Sequence, residues 1–316
     1  MLSCWVVTDG KAGMESQCLG LAEALGLVPQ IKRVALRPFW RAVTPYIRFG
    51  GLRQFASDSD LLTPPWPDLL IATGRHSVAA ALYVKRASQG RSRLVQIQNP
   101  GISLRHFDLV IAPKHDRLGG GNVLVTTGAM HRVTSGLLAQ HAARWAPAFA
   151  HLPRPYVAVL IGGSNSAFRF GSAEAKTFAQ KLRNAAESLN GSLLVTPSRR
   201  TGAEGARALS TALHGRPHYL WDGNGDNPYF GLLGLADSIV VTCDSVNMIS
   251  EAASTGKPIY IEMLPGGSVK SARFLASLRE AEITRDFQGT LAPYSYMPLN
   301  DRARAAERVG QLLPTL

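Results

Sequence analysis

Residues 239–258 narrow what this chain can fold into more than any other stretch. They open with Ile239-Val240-Val241-Thr242, the β-branched run of a buried strand. Asp244 and Ser245 follow, residue types whose side-chain oxygens accept hydrogen bonds from the first N–H groups of a helix. The pattern predicts that helix through about Ser254, ended by Gly256 and Pro258, with a second apolar strand over 258–263. Strand, polar turn, helix, Gly-x-Pro and strand make one βαβ unit, and strands joined in this way run parallel. Ligands of such units sit beyond the carboxyl ends of the strands, facing helix N-termini. Glu251 falls about two turns into the helix and is the first candidate to meet one.

The same alternation recurs along the chain. In the first half, strands are expected at 4–8, 31–35, 68–73, 94–98, 108–112 and 123–126. Helices are expected at about 15–25, 78–87 and 135–146. The pattern restarts at 156–161 after a proline-rich stretch, Pro147 to Pro155, which reads as a linker. A chain of 316 residues is long for one core and suits two domains. The expected architecture is α/β: two Rossmann-like, doubly wound domains facing a cleft, with mostly parallel sheets. The expected boundaries are 1–150 and 151–299, with the closing helix, 300–316, packing back on the first half.

Charge separates the two halves. Residues 1–150 hold 17 lysines and arginines against 8 carboxylates, and the remainder 17 against 14. A basic first half favours an anionic partner. Within it, Arg37, Phe39, Trp40, Arg41, Tyr46, Ile47, Arg48, Phe49, Arg53 and Phe55 interleave rings with guanidinium groups. Such a mixture suits a segment at a membrane surface, so residues 37–55 are the expected peripheral membrane contact. No run approaches the roughly 18 apolar residues of a membrane span. The amino terminus lacks the charged start of a secretory signal. Cys4, Cys18 and Cys243 are scattered without metal-ligand spacing and read as reduced thiols. The expectation is a cytoplasmic protein, peripheral on the inner face of a membrane, with no nucleic-acid partner and no metal.

Candidate site residues lie at strand ends. Asp9-Gly10-Lys11-Ala12-Gly13 is a glycine turn after the first strand, able to bring Gly10 and Gly13 amides against a phosphate or sugar. It is not a Walker loop, since no Gly-Lys-Ser/Thr follows. Gly74-Arg75-His76 repeats the strand–glycine–helix logic, and Lys114-His115-Asp116 ends a third strand. In the second half four polar turns are expected to converge: Gly162-Gly163-Ser164, Ser198-Arg199-Arg200, Trp221-Asp222-Gly223, and Asp244-Ser245 with Met248 and Glu251 on the helix beyond. Glycine amides, hydroxyls and two arginines suit a diphosphate. An ionised carboxylate such as Glu251 suits the two hydroxyls of a ribose.

Ser250-Glu251-Ala252-Ala253-Ser254-Thr255-Gly256-Lys257-Pro258 resembles the Glu-x-x-x-x-Gly-x-Pro segment of GT-B glycosyltransferases, including the lipid-II-forming N-acetylglucosaminyltransferase. That resemblance implies a donor ribose held by Glu251, and Gly163-Ser164 resembles the donor-phosphate turn of those enzymes. Near its full length the chain resembles the mitochondrial-fission "elongated mitochondria" family and its bacterial relatives described as glycosyltransferases. The marks are Val7-Thr8-Asp9-Gly10-Lys11-Ala12-Gly13-Met14-Glu15-Ser16-Gln17, Thr196-Pro197-Ser198-Arg199-Arg200-Thr201, Asn227-Pro228-Tyr229, and the run from Thr242 to Glu251. The resemblance implies a GT-B fold and sugar transfer for bacterial members, whereas plant members are described as adaptors on the mitochondrial surface. Asp9-Gly10-Lys11 stands after Thr8 where some relatives carry a Gly-His-Glu-like turn, so no catalytic base is carried over.

The reading is an inverting, metal-independent glycosyltransferase using a nucleotide-diphosphate-sugar donor, with no cofactor and a lipid-linked or envelope glycan acceptor. Gly163, Ser164, Ser198, Arg199 and Arg200 would face the diphosphate, Asp244 and Ser245 the sugar or phosphate, and Glu251 the ribose. The base would come from the first half: Asp9 first, with His76 and Asp116 as alternatives. The competing readings are a non-catalytic membrane-surface adaptor that keeps the fold, and a nucleotide-sugar epimerase or hydrolase.

Overall fold

The computed structural model describes residues 2–44 and 51–313. The chain divides into two compact units, one running to Arg132 and resuming at Asn300, the other Val133–Leu299. In the first, strands β1 (Cys4–Thr8), β2 (Gln30–Arg33), β3 (Leu69–Thr73), β4 (Arg93–Ile97), β5 (Leu109–Pro113) and β6 (Val123–Thr126) form one parallel sheet in the order β2-β1-β3-β4-β5-β6. Every residue of β1, β3 and β5 is buried. That is why these strands read as unbroken apolar runs rather than alternating ones: a parallel sheet is covered on both faces.

Helices α1 (Ala12–Ala24), α2 (Pro38–Val43) and α3 (Gly74–Ala87) follow β1, β2 and β3. Leu21 and Cys18 of α1 pack with Val6, Ile71 and Ile97 on one face, and Val78 and Ala81 of α3 with Val7, Leu70 and Ala72 on the other. The helix α1 begins at Ala12, three residues earlier than its apolar spacing suggests, so Gly13 is helical and the turn holds only Asp9, Gly10 and Lys11. In the aromatic segment, Phe55 is buried in the core and its carbonyl accepts from Arg37 Nε at 2.9 Å, while Phe39 and Leu52 are exposed. Tyr46, Ile47, Arg48 and Phe49 lie outside the described residues.

The second unit opens with α4 (Ser135–Phe149), followed by β7 (Tyr156–Ile161), α5 (Ser172–Leu189), β8 (Ser192–Pro197), α6 (Gly202–Leu213), β9 (His218–Leu220), α7 (Tyr229–Leu235), β10 (Ser238–Thr242), α8 (Val246–Ala253), β11 (Ile259–Glu262), α9 (Val269–Glu280) and β12 (Thr284–Asp286). Its sheet is parallel with order β12-β11-β10-β7-β8-β9. The boundary expected at the proline-rich stretch falls instead at residue 132, because α4 packs on α7. Gly231 and Gly234 permit that contact: a Cβ at either would lie 2.5 Å from Trp145 or from the Leu138 carbonyl. The phenyl ring of Phe149 lies tilted against Tyr219, with centroids 4.8 Å apart.

The last helix, α10 (Asp301–Gly310), belongs to the first unit. Ala305 and Val309 join the α1 core, Arg302 Nε donates to the Gly20 carbonyl at 2.9 Å, and Asp301 Oδ2 accepts from the Thr127 and Gly128 amides. Among the described residues no helix is long and apolar enough to cross a membrane.

Candidate functional site

Both sheets have a topological switch point, where the connections on either side run in opposite directions and leave a crevice outside the strand ends. In the second unit it lies between β7 and β10; in the first, between β1 and β3.

At the β7/β10 crevice the chain closes tightly on itself. The Gly162 amide donates to Thr242 Oγ1 at 2.8 Å, and that hydroxyl donates to Asp244 Oδ1 at 2.7 Å. Arg200 Nη1 sits 2.8 Å from Asp244 Oδ2 as an ion pair, beside the Gly163 main chain. Burial raises the Asp244 carboxyl above its ordinary range; Thr242, Arg200 and Gly163 pull it back only in part. A Cβ on Gly162 would fall 2.2 Å from Asp244 Oδ2, and one on Gly163, where φ is +120°, 2.3 Å from the Arg200 carbonyl carbon. The close approach these glycines allow is therefore made by the protein's own Asp244 and Arg200.

The neighbouring hydroxyls are engaged too. Ser164 Oγ bridges the Phe170 amide and carbonyl at 2.9 and 3.1 Å, while Ser198 Oγ donates to the Gly162 carbonyl and accepts from the Arg200 amide. Ser245 is the N-cap of α8, its side chain accepting from the Met248 amide, and the Met248 side chain packs against the core. Arg199, in the short turn that follows β8, is exposed. Three of the four expected turns thus meet. The fourth does not: Asp222 is exposed beyond the edge strand β9, and its carboxylate accepts from Asn224 within its own turn.

Glu251 lies on the second turn of α8 and is 8 % exposed. Its Oε2 accepts from the Tyr229 hydroxyl at 2.5 Å; among the described residues Oε1 has no donor and the carboxylate no cation. Burial pushes the Glu251 carboxyl up to about 7, against the opposing effect of the Tyr229 bond. Tyr229, at the first position of α7, entered the sequence reading only as a family mark, because nothing local says that α7 leans on α8. Lys257 secures the other end of α7: its Nζ donates to the Leu233 and Gly234 carbonyls at 2.6 and 2.7 Å, which accounts for a half-buried lysine immediately before Pro258.

At the β1/β3 crevice, Asp9 is ion-paired with Lys11, and its Oδ2 lies 3.7 Å from His76 Nδ1. Burial would raise the Asp9 carboxyl, but the Lys11 hydrogen bond and charge outweigh it and hold the group below its ordinary range. The imidazole of His76 is lowered, chiefly by burial and then by the charges of Arg75, Lys11 and Arg41. Gly10, with φ at +80°, turns the chain beside the Arg33 side chain, which a Cβ there would meet at 3.8 Å. The third base candidate is not brought to this pair: Asp116 follows β5, two strands beyond β3, beside His115. Among the described residues no three histidine, cysteine or carboxylate side chains group so as to hold a metal ion.

A family model described as mitochondrial fission ELM1 matches residues 12–313. The chain belongs to the mitochondrial fission ELM1 family. The match takes in every second-unit residue named above. The mitochondrial fission protein ELM1 of Arabidopsis thaliana is 37% identical over 274 residues, covering 78% of this chain and 64% of the plant protein, so this chain matches less than two thirds of that relative's length. The uncharacterized protein RP120 of Rickettsia prowazekii (strain Madrid E) is 29% identical over 349 residues, covering 97% of both chains. Among solved structures, the UDP-GlcNAc 2-epimerase from Neisseria meningitidis bound to UDP-GlcNAc matches with a TM-score of 0.52 at 13% identity, over 99% of each chain. At that identity the likeness is one of fold: two Rossmann-like units of the GT-B kind, a fold used by proteins that handle sugar nucleotides.

Proposed function

We propose that the second unit binds a nucleotide-diphosphate sugar and that this ELM1-family protein transfers the sugar to an acceptor, with inversion and without a metal. One observation carries the reading: Glu251 is a buried carboxylate held by Tyr229 through one oxygen, and among the described residues it has no cation and no second donor. Burying such a group is costly unless its acceptors are used, and ribose hydroxyls are donors that fit it. Arg199, exposed beside the Arg200–Asp244 pair, is the cation available to a diphosphate at the same crevice. Charge grows on the leaving nucleotide as the glycosidic bond breaks, so a cation there stabilises the transition state more than the ground state. Asp9 is assigned as the base, with His76 beside it; each is in its proton-accepting form at neutral pH, since both are shifted downward.

The test is a thermal-shift screen against UDP-, GDP-, ADP-, dTDP- and CMP-linked sugars. A ligand at about 100 times its Kd stabilises by about 2.7 kcal/mol, and each kcal/mol moves the melting temperature by about 2–4 °C. One nucleotide series should raise it in the native protein and not in Glu251→Ala. If no compound does so, the transferase reading fails.

A second reading, the membrane-surface adaptor, is favoured by a different observation. Ser164, Ser198 and Asp244 are all turned to internal partners, and Phe39 is 65% exposed on a helix that also carries Trp40 and Arg41. It expects flotation with anionic liposomes, lost in the Trp40→Ala/Arg41→Ala variant, together with no nucleotide response.

A further inference from the structure

The switch point of the first unit is used in the proposed reaction only as a proton acceptor, yet it carries more charge than that role needs. The end of β1 delivers Asp9 and Lys11, and the start of α3 delivers Arg75 and His76. Asp9 is answered by Lys11. Glu15, the next carboxylate on α1, is held by Arg33 through both its oxygens, at 2.9 and 3.0 Å. Arg75 has no carboxylate within ion-pair distance among the described residues; its Nε donates to His76 Nε2 at 3.3 Å. That bond uses one of the five guanidinium donors and leaves the terminal fork open. Arg41 likewise has no carboxylate partner among the described residues, and its charge reaches His76. Lys11, Arg75 and Arg41 are all exposed, whereas Asp9 and His76 have side chains only 17% and 19% exposed.

We propose that this corner is an anion site for a phosphate ester, a monoester or a diphosphate, taken between Lys11, Arg75 and His76. The guanidinium fork matches two phosphate oxygens, and the lysine supplies a point charge. Crevices outside strand ends at a switch point are where ligands of such sheets sit. An anion that engages Arg75 draws it from His76 Nε2, so the imidazole reports on binding. The same chemistry is offered by a soluble phosphate ester and by a lipid diphosphate headgroup. Calling the group part of a sugar acceptor rests on the transferase reading; the anion site itself does not.

The test follows the ring signals of His76, assigned with His76→Gln, by NMR as inorganic pyrophosphate is titrated into the full chain. A saturable shift is expected, weakened at least tenfold in Arg75→Gln and in Lys11→Gln and unchanged in Glu251→Ala. Repeating it with a prenyl diphosphate in micelles separates the sources: tenfold tighter binding identifies a lipid-borne group, and equal binding a soluble ester. No movement of His76 at millimolar pyrophosphate, or equal affinity in both cation variants, overturns the proposal. Pyrophosphate binding without any nucleotide-sugar stabilisation would keep this site and end the transferase reading; the reverse pattern would do the opposite.

Discussion

At the β7/β10 crevice the strand ends have closed on one another: Gly162 and Gly163 lie against Asp244 and Arg200, and each nearby serine hydroxyl has an internal partner. At the β1/β3 crevice the packing is looser, with only the Arg33 side chain near Gly10, at 3.8 Å from a Cβ there, Lys11 and Arg75 exposed, and a half-buried histidine between carboxylate and guanidinium. Two parallel sheets of similar construction therefore differ in how their switch points are finished. The second is a tightly packed socket that offers one buried carboxylate, Glu251, and the exposed Arg199, next in sequence to Arg200. The first is a looser, positively charged corner. Sheet topology decides where a ligand can go; what the loops do with their own polar groups decides which charge it must bring.

The largest expected effect that separates the two comes from the glycines. Gly163→Ala combines a left-handed backbone with a clash against the Arg200 main chain and should cost about 4 kcal/mol in urea unfolding. Gly10→Ala, whose nearest neighbour is the flexible Arg33 side chain at 3.8 Å, should cost about 1 kcal/mol. Equal losses would show that the two turns are not finished differently.

Next is the response to pH, which should have opposite signs at the two crevices. The folded pKa of Glu251, about 7, lies above its ordinary 4.5, so its contribution is complete below 4.5 and is lost as pH rises through 7. The full loss is about 3 kcal/mol. Glu251→Gln should match the native protein near pH 4.5 and exceed it above pH 7; a variant that tracks the native curve throughout would show that the carboxylate is not buried. His76 is shifted below 6.5, so its contribution is present above 6.5 and is lost as pH falls through the lower folded value. His76→Gln should flatten that acid limb.

Smaller again is the contrast between the ion pairs. Asp244→Asn leaves Arg200 beside a buried neutral amide and should cost about 2 kcal/mol. Asp9→Asn faces a largely exposed lysine and should stay within about 1 kcal/mol. Chemical denaturation measures both, and a reversal of their order would mean that the first crevice is the more tightly packed one.

Much of the fold is legible in the sequence, and the reason differs by element. Strands such as 69–73, 156–161 and 238–242 announce themselves because parallel strands are buried on both faces, so polar residues fall only at the ends of the run. Strand–glycine–helix junctions at Asp9, Gly74 and Gly162 are readable because the local chemistry of turns and caps is written in adjacent residues. The membership of α4 is not, since its docking on α7 depends on Gly231 and Gly234, more than eighty residues further on. In the same way, convergence was legible for Ser198, Arg200 and Asp244 but wrongly included Asp222, because strand order in a sheet is not carried by any single strand.

By itself the sequence determined two successive α/β units, their strands, and the polar residues placed at the strand ends, since periodicity and turn chemistry are local properties. Only the tertiary structure decided which of those ends share a switch point. It set Asp9 beside His76 and left Asp116 two strands away, and it turned Asp244 inward onto Arg200. It also brought Tyr229 onto Glu251. Those pairings rest on strand order and helix docking between residues distant in the chain, where no local propensity reaches.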